Sequence, residues 1–189
     1  MNLREWIRHD HASVRTRFEQ SIVAQVPRAR WTDTDHGNSI AWLVLHATYH
    51  QDLALNTAVR NRPPLLDEHR HRLGLGGHDA TAGLSEAEDP AVTLALDLDE
   101  LDAYRVAVHD STSAWIGETS SMALDTTPPA GHRLERRVGI TATGPLSWLH
   151  AMWTGKPVAW FVQWECIGHG HTHNGEMTAL RNRMGLSPF

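Results

Sequence analysis

The sequence predicts an all-α protein, a four-helix bundle with long crossover loops. Three observations carry that expectation. Four long segments space their apolar residues at helical period, capping or breaking residues bound them, and no stretch alternates as a half-buried strand does. At 189 residues, with 41% hydrophobic and 21% charged, the chain suits one domain spanning 1–189. It is long enough to bury its apolar surface without staples.

The first segment runs from about Leu3 to Val26 and stops before Pro27, because a proline disfavours helical geometry in the residue ahead of it. Leu3, Ile7, Val14 and Phe18 form its stripe. Asp10 shares that face, so it pairs with Arg17 or joins a polar site. The second segment follows Asn38 and Ser39, whose side chains can accept from the first free N–H groups of a helix. It continues to about Asn61, ahead of Pro63 and Pro64, and its buried stripe is Trp42, Leu43, His46, His50 and Leu53. Asp97 caps the third, where Asp99, Glu100 and Asp102 favour the positive end of the helix dipole. Leu101, Tyr104, Val108 and Trp115 form its apolar face. The fourth follows Thr154-Gly155-Lys156-Pro157, with Pro157 in its first turn, and ends near Gly185.

Two connections, 62–96 and 120–147, read as loops. The first holds Gly74-Leu75-Gly76-Gly77 without the Lys-Ser/Thr of a phosphate loop. The second holds Pro128-Pro129 and the cluster Arg133, Arg136 and Arg137. Loops of this length in a compact domain serve as lids, rims or contacts.

Composition removes several function classes. A net charge of -5 gives no basic field for nucleic acid. One cysteine excludes an internal disulfide and fits a reducing compartment. Residues Met1 to Trp6 lack the apolar core of a signal peptide, and no stretch approaches the roughly 20 apolar residues of a membrane span. The expected protein is cytoplasmic, with neither membrane nor nucleic acid as partner.

The chemistry gathers in the run Cys166 to Glu176. If helical, it sets His169 and His173 one turn apart on one face, the spacing two imidazoles need to share a metal ion. Stepping by about 100° per residue, the same face collects Glu165, Cys166 and Glu176. Three glycines inside the run, Gly168, Gly170 and Gly175, weaken a helix by roughly 1 kcal/mol each, which points to close packing against a neighbouring helix. His46, in the second segment's stripe, supplies a third imidazole from another helix. Three such ligands leave an open position, the pattern of a catalytic zinc site. His50 is a fourth ligand, an outer hydrogen-bond donor or a packed side chain. Glu176 orients a ligand imidazole, acts as a base, or pairs with Arg181 or Arg183. Cys166 is a thiolate ligand or inert packing. His171 points about 200° from His169, shares a second apolar face with Trp160, Trp164 and Ile167, and reads as structural. No Glu follows His169, so this is not the zinc-protease motif.

These residues carry a resemblance. Asn38 to His46, Trp148 to Trp153 with Gly155-Lys156-Pro157, and His169 to Arg181 together resemble the DinB-like superfamily of metal-binding four-helix bundles, in its actinobacterial-type branch. The resemblance spans nearly the whole chain and is weakest over 62–96. It implies an up-down-down-up bundle, frequent homodimers, and a ligand triad at His46, His169 and His173. It also implies a divalent metal, zinc first, with nickel and iron admitted by the same imidazoles. Some members of the superfamily are transferases or isomerases that use a low-molecular-weight thiol such as mycothiol or bacillithiol. The resulting expectation is a metal-dependent thiol S-transferase or isomerase acting on a small molecule, with the Arg133–Arg137 segment holding anionic groups. Metal-assisted hydrolysis at the same three histidines and a non-catalytic metal-binding stress protein are the alternatives.

Overall fold

The computed structural model describes residues 2–188, and every regular element among them is helical. Helix α1 (Leu3–Phe18) opens on a reciprocal cap. The Asn2 side chain accepts from the Glu5 N–H, and the Glu5 carboxylate accepts from the Asn2 N–H. Its path continues through Glu19–Val23 with i→i+5 bonding and ends before Pro27, as predicted. Phe18 is buried but Leu3 is exposed, so the predicted stripe begins later than expected.

Helix α2 (Ile40–Asp52) starts where Ser39 Oγ accepts from the Trp42 N–H at 3.1 Å, and it runs on through Leu53–Val59. Ile40 to Leu45 are all buried, so this helix is surrounded rather than amphipathic. The fully buried Asp52 closes its end. That carboxylate accepts from Asn56 Nδ2, the Leu65 and Leu66 N–H groups, and Tyr104 O–H, at 2.7 to 3.0 Å. One side chain thereby ties the chain's exit from α2 to the next long helix.

That next helix, α3 (Leu98–Glu118), is capped by Asp97, which accepts from the Asp99 and Glu100 N–H groups. Leu101, Tyr104 and Val108 are buried as predicted, and Ile116 rather than Trp115 completes the face.

The two connections are not plain loops. Within 62–96 lie the short turns Leu66–His69, Leu75–Gly77 and Pro90–Ala95. Gly74 adopts φ +86°, and a Cβ there would fall 1.9 Å from the Ala95 carbonyl oxygen, so only glycine fits. Within 120–147 lies α4 (Ala130–Val138), followed by α5 (Ser147–Trp153). Pro128 and Pro129 lead into α4 instead of keeping the segment irregular. Two of the three clustered arginines, Arg133 and Arg137, are tied to backbone carbonyls. Arg133 donates to the Ala58 and Val59 carbonyls at 2.7 and 2.9 Å, and Arg137 donates to the Asn61 carbonyl. These guanidinium groups satisfy free carbonyls where the path of α2 ends, which corrects their expected role in holding anionic groups.

The last helical path begins at Val158, with Pro157 as its cap rather than in its first turn, and passes through the i→i+5 segment Phe161–Gly168 into α6 (His169–Arg183). Helix α1 packs on α3 and α6, and α2 packs on the same two. At Gly170 a Cβ would meet Val14 Cγ1 at 2.7 Å. This is the close approach the glycines predicted, and it sets α6 against α1 with its histidines turned toward α2. Among the described residues, no helix is long and apolar enough to cross a membrane.

Candidate metal centre

Helix α2 presents His46 and His50 one turn apart, and α6 presents His169 and His173 with the same spacing. Where the two helices face each other, all four imidazoles meet. His46 lies 5.1 and 4.9 Å, ring centre to ring centre, from His169 and His173, and His50 lies 4.9 Å from His169. One ligand atom each from His46, His169 and His173 falls within 4.8 Å of the others, and all three residues are buried.

Hydrogen bonds decide which nitrogen each ring offers. His46 Nδ1–H donates to the Gly83 carbonyl at 2.9 Å, so Nε2 keeps its lone pair, and it has no hydrogen-bond partner. His173 Nδ1–H donates to Glu176 Oε2 at 3.0 Å, which leaves the Nε2 lone pair free to bind a metal. His173 Nε2 sits 3.0 Å from His169 Nε2. Neighbouring nitrogens of a tetrahedral zinc site, each about 2.0–2.1 Å from the ion, stand roughly 3.3 Å apart, so these residues fit a divalent ion. Burial and the adjacent rings also suit them to it. Desolvation, with His50 and His173 nearby, lowers the His46 pKa to about 3. The same causes, desolvation first, hold His169 far below the usual histidine range. Both rings are therefore neutral near pH 7, the form that binds metal.

The structure places the other predicted residues plainly. Glu176 contacts His173 rather than Arg181 or Arg183. Cys166 leaves the histidine face. The i→i+5 turn inserts a residue, which rotates the upstream chain by about 100° relative to an unbroken α-helix. Cys166 packs instead with Leu55, Ile116, Val162 and Ile167, where burial pushes its thiol pKa well up, so it stays protonated. Glu165 remains on the inner side, 3.6 Å from His50 Nδ1 and 4.0 Å from His169 Nδ1. His171 meets Ser13 Oγ at 3.2 Å and Asp10 Oδ1 at 3.8 Å, which supplies Asp10 with a partner other than Arg17.

Several contacts were not anticipated. Residues of the 62–96 connection, the part least constrained by the resemblance, cover the rings. Gly83 and Leu84 offer carbonyls to His46 and His50. Glu86, 71% exposed, places Oε1 3.9 Å from His46 Nε2. Trp148 stacks 6.2 Å from His50, and Trp164 lies 6.2 Å from His169; both are partly open to solvent. No periodic signal marks such contacts in sequence. Elsewhere, His11 and His109 stack at 4.2 Å between α1 and α3, a pairing their separation of 98 positions hides.

No known family model matches the chain, and no curated protein matches it. A solved structure does, described as the crystal structure of the conserved protein of locus from Enterococcus faecalis. It is 16% identical, with a TM-score of 0.67, and the match covers 98% of each chain. At that identity the likeness shows the fold alone: an all-helical domain.

Proposed function

We propose that the protein is a divalent-metal-dependent thiol S-transferase or isomerase of the DinB-like superfamily, with His46, His169 and His173 as ligands. The observation that carries this reading is the convergence of three imidazole nitrogens within 4.8 Å across two helices. Three protein ligands leave an open position, the pattern of a catalytic rather than a structural zinc site. A divalent ion held there by His46, His169 and His173 would lower the pKa of a coordinating thiol, so that it would lose its proton to solvent and serve as a sulfur nucleophile at neutral pH.

The chain's own residues support the other roles. Cys166 is buried and protonated, so the reacting thiol comes from a cosubstrate in solution. Glu176 accepts a hydrogen bond from His173 Nδ1–H and fixes that ring as a positioning residue. Trp148 and Trp164 offer partly exposed aromatic surface beside His50 and His169 for the apolar part of a substrate. Zinc is the proposed ion. The up-down-down-up course is part of the proposal, supported by the packing of α1 and α2 on both α3 and α6. So are a cytoplasmic location and a homodimer. The exposed Leu3 and Trp6 favour the dimer.

Glu86 favours hydrolysis as a second reading, because an exposed carboxylate 3.9 Å from His46 Nε2 is placed to take a proton from water. Turnover of electrophilic substrates by the zinc-loaded protein, with and without a thiol, tests both. Activity that needs added thiol and vanishes in His173→Ala supports the transferase. Thiol-independent turnover lost in Glu86→Gln supports the hydrolase, and full activity in His173→Ala discards both.

A further inference from the structure

Glu165 is wholly buried, a placement that costs a carboxylate several kcal/mol unless a proton or cation compensates it. Its Oε1 accepts from Trp153 Nε1–H at 2.7 Å, while Oε2 has no hydrogen-bond partner. Two more unpartnered atoms face that oxygen: His50 Nδ1 at 3.6 Å and His169 Nδ1 at 4.0 Å. His50 Nε2–H donates to the Leu84 carbonyl at 3.2 Å, so its Nδ1 carries a lone pair. Among the described residues, no lysine or arginine pairs with Glu165. The separations are too long for hydrogen bonds, yet they suit two ligand atoms that each lie about 2.0–2.2 Å from one shared ion.

We propose that His50, Glu165 and His169 form a second divalent-metal position behind the first. The two positions share His169 through its opposite ring nitrogens. The proposal rests on the three-histidine reading for its first position, but its own ligands include two residues, His50 and Glu165, which that reading does not use. Charge balances when both are filled. Two divalent ions bring four positive charges. Glu165, Glu176 on His173 and Glu86 beside His46 supply three negative ones. The fourth comes from His169, which releases its single N–H proton to solvent when both nitrogens coordinate. A set of two nitrogens and one carboxylate oxygen suits zinc, iron(II) or manganese(II). The Trp153 hydrogen bond holds the carboxylate in place as an outer partner does at a metal site.

Zinc alone is the probe. Chelator-stripped full-length protein is reloaded, freed of loose zinc and submitted to elemental analysis, beside His50→Gln, Glu165→Gln and His46→Ala. Wild type is expected to hold two zinc ions per chain, and each variant one. Gln at position 50 keeps a donor for the Leu84 carbonyl, and thermal melting shows which variants fold. His50→Gln alone decides if Glu165→Gln does not. Equal zinc in wild type and His50→Gln overturns the second position. Equal zinc in wild type and His46→Ala overturns the three-histidine reading instead, and no zinc in wild type overturns both.

Discussion

Gly170→Ala should destabilise the protein although alanine is the better helix former. In an open helical position the change is favourable by roughly 1 kcal/mol. At Gly170 the new Cβ would stand 2.7 Å from Val14 Cγ1, where carbon atoms prefer about 3.5–4.0 Å. Val14 cannot swing clear cheaply, because a β-branched side chain in a helix has essentially one χ1 rotamer. Helices α1 and α6 must therefore part by up to about 1 Å, and overpacking of this kind costs typically 1–3 kcal/mol. The net expectation is a loss of about 1 kcal/mol, or roughly 2–4 °C in Tm at this size. Two controls sharpen it. Gly175 lies on the same helix with nothing within 4 Å of a built Cβ, so Gly175→Ala should stabilise by roughly 1 kcal/mol. In a Val14→Ala background the clash is gone, and Gly170→Ala should change sign. Urea titrations of the four proteins in the Val14/Gly170 cycle measure a coupling of about 2 kcal/mol. A coupling near zero, or stabilisation by Gly170→Ala in both backgrounds, refutes the close approach.

Other expectations follow from the same physics. Burial, then His109, lowers the His11 pKa from the usual 6.5 to about 3, so between those values the unfolded chain binds a proton that the folded one refuses. Stability is complete above about pH 6.5 and falls with pH at about 1.4 kcal/mol per unit below it. Urea titrations at pH 7 and 5 should therefore show a loss that His11→Asn reduces by about 2 kcal/mol; an equal loss in both proteins contradicts the assignment. Asp52→Ala strips partners from two backbone N–H groups, Asn56 and Tyr104, and should cost about 3–5 kcal/mol. A melting temperature within about 2 °C of wild type would contradict that. Glu176→Ala should lower zinc affinity about 10- to 100-fold with the fold intact, and Glu176→Gln less, since its amide oxygen still accepts from His173. Unchanged affinity in both removes the positioning role.

Local chemistry made part of this molecule legible. Ser39, Asp97 and Pro27 mark helix ends because they act on the few backbone groups nearest them. His169 and His173 were readable because a single helix fixes their spacing, and His46 because an imidazole stood out within an apolar stripe. What escaped depends on contacts between distant segments. The i→i+5 turn that carries Cys166 away from the histidines leaves no mark in apolar period. The 62–96 segment looked unconstrained, yet its carbonyls at Gly83 and Leu84 orient two site imidazoles. The 120–147 connection holding Pro128-Pro129 read as a loop, whereas α4 begins directly after those prolines. Arg133 and Arg137 read as anion binders because their carbonyl partners lie more than 70 positions away.

Zinc content after reconstitution of chelator-washed protein, measured for wild type, His46→Ala and His173→Ala, tests the three-histidine centre most directly. Stoichiometric zinc in wild type, with one ion fewer per chain in each variant, is the result the geometry requires. Wild type without stoichiometric zinc, or variants that match it, would mean that His46, His169 and His173 do not form a metal centre.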